Sequence, residues 1–148
     1  MRAPSSTLVV DAAVLVAAAR GRSSGAILEA ARSSALVTTD RVVHEARRRI
    51  ELGLKRPDLV PIVDALAAEL TVVPVATLAP LLGRSEIALR DAVASRNGSI
   101  QDAHVLALAW GLDADIWTTD RDFAGTGVAT WSTPNLVRGL SETAADRR

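Results

Sequence analysis

The sequence predicts an α/β fold of three layers, α/β/α, around a central parallel sheet of five strands. Three observations lead there. Five short runs, Thr7–Val10, Leu36–Thr39, Thr71–Val75, Asp115–Thr119 and Val128–Trp131, have strand length and are mostly rich in Val or Thr. Longer segments of helical pattern separate them, as crossovers between parallel strands require. Their apolar residues run continuously instead of alternating, which marks strands covered on both faces.

The elements follow in order. After the first strand, helical patterns lie near 12–19 and 24–33, and the second strand leads into another near 41–53. A helix near 58–69 precedes the third strand, and helices near 84–96 and 100–111 precede the fourth. A last helix near 134–140 follows the fifth strand. Asp40 and Asp58 stand before helical patterns as N-caps, and Pro61 fits a first turn, where its missing N–H costs nothing. Arg96-Asn97-Gly98-Ser99 reads as one helix stop followed by the next helix start. The expected organisation is one domain over residues 1–140 and a frayed tail from Ser141 to Arg148. No repeat is visible, apart from the echo of Thr38-Thr39-Asp40 in Thr118-Thr119-Asp120.

Composition narrows the function classes. The chain of 148 residues is 49% apolar, yet its aromatics are only Trp110, Trp117, Trp131 and Phe123, so Val, Leu, Ile and Ala must build the core. The absence of cysteine excludes a disulfide scaffold, a thiolate zinc site and a Cys nucleophile. His44 and His104 alone leave little room for a histidine-built metal site. With 17 basic and 17 acidic residues the net charge is zero, which disfavours a globally basic nucleic-acid binder but permits a local basic face. The apolar stretch Leu8–Ala19 is interrupted by Asp11, and the uncharged run Leu70–Gly83 is short and broken by Pro74 and Pro80, so neither is expected to cross a bilayer. A cytoplasmic protein is expected.

In open parallel sheets ligands bind beyond the carboxyl ends of the strands. Asp11 ends the first strand, Asp40 the second and Asp120 the fourth, with Asp122 two residues on; Asp102 opens the helix leading into the fourth strand. Each of these aspartates also suits a helix cap. Glu45 suits that reading less well, because it borders the apolar stripe of Val42, Val43, Ala46 and Ile50. Carboxylates converging on one sheet edge repel unless a cation joins them, and hard divalent cations prefer such oxygen donors.

The stretch from Asp102 to Phe123 adds a pattern: an Asp opening an Ala-rich helix, then a strand closed by Thr-x-Asp-x-Asp-Phe at 118–123. Together with Asp11 and Glu45 it resembles the PIN domain family, and within it the VapC-like ribonuclease toxins, over roughly residues 7–140. The resemblance implies catalytic, metal-binding roles for Asp11, Glu45, Asp102 and Asp120, with Asp122 as a subsidiary metal ligand and Thr118 as a polar neighbour. It further implies Mg²⁺ or Mn²⁺, endonucleolytic cleavage of RNA leaving a 5′-phosphate, a homodimer, and a small antitoxin partner. Where the family usually carries Asn, Ser or Thr, two residues after the first Asp, this chain has Ala13. The alternative is therefore a decayed PIN-like module that binds RNA or a protein without cutting.

Other acid-site families fit less well. Haloacid-dehalogenase-type phosphatases need an Asp where Ala13 stands, receiver domains need a lysine after a late strand, and the sole lysine is Lys55. Gly21–Gly25 lacks the Gly-Lys-Ser/Thr ending of a phosphate loop. Around Glu45, Arg41, Arg47, Arg48 and Arg49 form either a solvated face or a track for RNA phosphates. His104 is expected to be structural, Trp110 and Trp117 to be core, and Asp113 and Asp115 to lie in a helix–strand turn.

Overall fold

Parallel pairing joins β1 (Thr7–Val10) to β2 (Ala35–Thr39) on one side and to β4 (Asp115–Trp117) on the other, with β3 (Thr71–Val73) beyond β2 and β5 (Thr130–Trp131) beyond β4. The computed structural model describes residues 2–22, 24–93, 102–119, 123 and 126–146. The strand order β3-β2-β1-β4-β5 reverses at β1. That is the switch point where an α/β sheet opens a crevice. Leu8, Val9 and Val10 of the central strand have no exposed surface, which is why their run is continuously apolar.

The helices are α1 (Ala12–Ala19), α2 (Ser24–Ser33), α3 (Asp40–Arg48), α4 (Val60–Ala68), α5 (Ala79–Val93), α6 (Ala103–Leu112) and α7 (Thr133–Asp146). Here α1, α3 and α4 pack on one another, while α5 packs on α6, which lies across β1 and β2. The expected α/β/α layering is what the chain adopts. Residues 103–109 of α6 are buried without a break, so this helix is apolar on every side and sits in the core. No described helix is long and apolar enough to cross a membrane.

Several boundaries differ from expectation for local reasons. The third strand stops at Val73, because Pro74 has no N–H for the ladder, and Val75–Leu78 turns into a 3-10 helix. The next helix begins at Ala79, five residues early, since Pro80 falls in its first turn. Thr39, not Asp40, caps α3, its hydroxyl accepting from Val42 N at 3.0 Å. Asp40 instead accepts from Arg41 N and Val75 N, both at 2.9 Å. Asp58 caps nothing; it lies in a 3-10 turn, Pro57–Leu59, and pairs with Arg56. Beyond α3 the helical run to Gly53 continues as a π-helical turn. The last helix extends through Asp146, so the tail expected from Ser141 is helical up to there, its turns joined by Ser141 Oγ to Val137 O and Thr143 Oγ1 to Gly139 O. The Arg96–Ser99 helix boundary lies outside the described residues.

Asp115 is not a turn residue but the buried first residue of β4. Its carboxylate accepts from Trp131 Nε1, Ser5 N and Arg2 Nη2 at 2.9–3.0 Å. Asp113 does end α6, in the left-handed conformation (φ 51°). Trp117 is fully buried, whereas Trp110 is half-buried at the edge of the core.

Candidate active site

Asp11 follows the last residue of β1 and caps α1. Its backbone is extended (φ −86°, ψ 162°), which lets Oδ1 accept from Ala12 N at 2.8 Å. Oδ2 accepts from Thr118 Oγ1, also at 2.8 Å, and Asp11 N donates to Trp117 O at 3.1 Å. The residue is 4% exposed, so this carboxylate is held by bonds from two neighbouring strand ends in a nearly dry setting. Ala13, half-buried, offers no polar group, and the hydroxyl that orients Asp11 comes from Thr118.

Asp102 precedes α6 and is half-buried, but its side chain makes no cap hydrogen bond to that helix. Capping therefore does not account for this aspartate. Two residues on, His104 is 1% exposed, and its Nδ1 lies 2.8 Å from Thr39 Oγ1 at the carboxyl end of β2. That bond brings the first turn of α6, and Asp102 with it, to the edge of the sheet where Asp11 stands. Burial pushes the His104 pKa down to about 4; the Arg41 charge adds to this and Asp40 opposes it. At neutral pH the imidazole is uncharged and structural, as the sequence implied.

Glu45, half-buried on α3, accepts from Arg49 Nη2 at 2.7 Å. It lines a cavity of about 510 Å³ together with Arg41, His44, Arg48, Arg49 and His104. The four arginines expected to form one track divide. Arg41 and Arg48 line the cavity without an ion-pair partner among the described residues, Arg49 is paired with Glu45, and Arg47 bonds Asp64 of α4. A cavity of about 590 Å³ also opens beside Arg20, Arg22 and Arg56. It lies at the far end of α1, roughly 12 Å from the end that Asp11 caps at 1.5 Å per residue, and belongs to a different part of the molecule.

Asp120 and Asp122 lie outside the described residues, so the structure gives Asp11 and Asp102 without them. Among the described residues no three acids or histidines are grouped closely enough to hold a metal ion. Sequence reasoning passed over Thr38 and Thr39 as strand residues. Both are fully buried at the end of β2, and Thr38 Oγ1 donates to Val10 O at 2.7 Å. The repeated Thr-Thr was the available signal, since Thr38-Thr39 ends β2 and Thr118-Thr119 follows β4, the two strands that flank β1.

Comparison with known proteins agrees with this fold. A family model of the PIN domain matches residues 9–141. Similar solved structures include VapBC2 from Rickettsia felis bound to a DNA fragment from its promoter, with a TM-score of 0.65 and 12% identity over 85% of this chain and 98% of that one. A protein from Pyrobaculum aerophilum superposes with a TM-score of 0.62 and 17% identity over 92% and 96% of the two chains. A toxin–antitoxin complex from Klebsiella pneumoniae gives 0.57 and 17% over 85% and 97%. At these identities the likeness is one of fold. No curated protein matches the chain in sequence. With a family match that runs from β1 into α7, over a parallel sheet whose central strand ends in a buried aspartate, the chain belongs to the PIN domain family.

Proposed function

We propose that this chain is a divalent-metal-dependent endoribonuclease and the toxin of a type II toxin–antitoxin pair. The observation that carries the reading is Asp11, a buried carboxylate at the switch point of the sheet, oriented by Thr118 and Ala12. Asp11, Glu45, Asp102 and Asp120 are the proposed catalytic acids and, with Asp122, the proposed metal ligands.

The donor set suits Mg²⁺ or Mn²⁺. Asp11 presents one carboxylate oxygen to Ala12 N and the other to Thr118 Oγ1, and such an oxygen donor suits a hard cation. Asp102 is not spent on capping α6. Glu45 gives up only an i,i+4 ion pair with Arg49, half-exposed and worth about 0.3–0.5 kcal/mol. A cation bound there would polarise the scissile phosphate and activate water. The protein's own contribution is to bind and orient: Arg41 and Arg48 attract backbone phosphates, and neutral His104 stays tied to Thr39. One of the similar solved structures is, by its description, a toxin–antitoxin complex, and another is VapBC2 bound to promoter DNA, which supports a small antitoxin as partner. A homodimer in the cytoplasm completes the proposal. Ala13 favours the second reading, a module that binds RNA or a protein without cleavage.

The deciding experiment incubates wild type and Asp102→Asn with structured RNA in Mg²⁺, Mn²⁺ or EDTA. Cleavage confined to wild type with metal is the expected result. RNA binding without metal-dependent cleavage by wild type would select the decayed module instead.

A further inference from the structure

The end of β2 carries two adjacent threonines that the proposed chemistry does not use. Successive strand side chains point to opposite faces, and the two hydroxyls serve different segments. Thr38 Oγ1 donates to the carbonyl of Val10, the residue before Asp11, at 2.7 Å. Thr39 Oγ1 accepts from Val42 N at 3.0 Å, at the start of the helix that carries Glu45. The same oxygen lies 2.8 Å from His104 Nδ1, two residues after Asp102. A hydroxyl has one proton and two lone pairs, so Thr39 can serve both partners in either tautomer of a neutral imidazole. Thr38, Thr39 and His104 are each no more than 1% exposed, so water does not compete for these bonds.

Three segments that carry the proposed acids are thus fastened to one dipeptide. We infer that Thr38, Thr39 and His104 form a positioning hub that sets the mutual spacing of Asp11, Glu45 and Asp102. This rests on the acid-site reading above. Converging carboxylates repel one another before a cation binds, so the elements beneath them must be held by something other than the acids. Neutral hydrogen bonds buried below the edge do this without adding charge. Partners of this kind, which orient ligands without touching the metal, typically cost ten- to a hundredfold in metal affinity or activity when removed.

The test titrates Mn²⁺ calorimetrically into the full chain without RNA and then measures RNA cleavage. His104→Leu keeps a buried side chain and leaves Thr39 capping α3. Thr39→Val removes the shared hydroxyl, and Thr39→Ser restores it. The expected result is Mn²⁺ binding weakened roughly ten- to a hundredfold in His104→Leu and Thr39→Val. Their kcat should fall with KM for RNA little changed, and Thr39→Ser should stay close to wild type. If Thr39→Val does not fold, His104→Leu decides alone, because its helix cap is intact. A folded His104→Leu variant with wild-type Mn²⁺ affinity overturns the hub while leaving the acid site standing. Failure of wild type itself to bind Mn²⁺ or cut RNA overturns the acid site, and the hub with it.

Discussion

Thr118, one residue beyond β4, donates its hydroxyl proton to Asp11, one residue beyond β1, across 2.8 Å. The parallel register makes this contact available: Val10 lies opposite Trp117, so the residues that follow each strand are neighbours. Asp11 is thereby both a helix cap and an oriented acid, and the two roles can be separated by substitution. Asp11→Asn keeps a side chain that caps as well as Asp, and Thr118 can accept from the new amide. Its unfolding free energy in urea should lie within about 1 kcal/mol of wild type, whereas Asp11→Ala should lose about 1–2 kcal/mol. Both should lose metal-dependent cleavage. Full activity in Asp11→Asn would reduce Asp11 to a cap.

The division of the arginines predicts unequal effects on RNA affinity. Arg41 and Arg48 line the cavity beside Glu45, while Arg47 is engaged with Asp64. Replacing Arg41 and Arg48 together by Ala should lower the slope of log affinity against log salt by about 1.4 for a single strand, at about 0.7 per phosphate contact. Arg47→Ala should leave the slope unchanged. Equal changes in the two variants would return all of these arginines to a common solvated face.

His104 predicts how stability depends on pH. Burial, with Arg41 beside it, pushes the folded-state pKa down to about 4 from 6.5. Between those values the unfolded chain binds the proton and the folded chain does not, so stability rises with pH and is lost as pH falls from 6.5 towards 4. The loss between pH 7 and pH 5 from this group should be about 2 kcal/mol. Urea unfolding of the metal-free protein across that range should show the slope in wild type and a flatter profile in His104→Leu. Parallel profiles would mean that His104 keeps an ordinary pKa.

Asp115 predicts a purely structural defect. Its carboxylate satisfies the buried Trp131 indole N–H and the Ser5 amide. Asp115→Ala should therefore cost about 2–4 kcal/mol, since an orphaned buried donor costs about 1–3 kcal/mol. Arg2→Ala should cost under about 1 kcal/mol, because that ion pair leaves Arg2 64% exposed. Denaturant melts of the two variants would reverse this order only if Arg2, not the buried donors, anchored Asp115.

Local chemistry was enough to read the strands and most of the helices. The run Leu8-Val9-Val10 read as a strand covered on both faces, the stretch near 100–111 read as a helix, and strand-ending aspartates marked the edge at which the acid site is proposed. Where local chemistry misled, the competing signals were equally local. An Asp beside a Thr looks like the better cap until the turn selects Thr39, and the helix expected from 84 begins at Ala79 because a first turn accepts Pro80. Only the tertiary structure decided which groups meet: Arg47 with Asp64 and not an open track, Asp115 with Ser5 and Trp131 and not solvent, and Thr39 with His104. Periodicity along a chain encodes which face of an element is buried, through the free energy of removing apolar surface from water. The partner that covers that face is set by strand order and crossover packing, which bring together residues as far apart as Ser5 and Asp115 and leave no mark on the sequence near either.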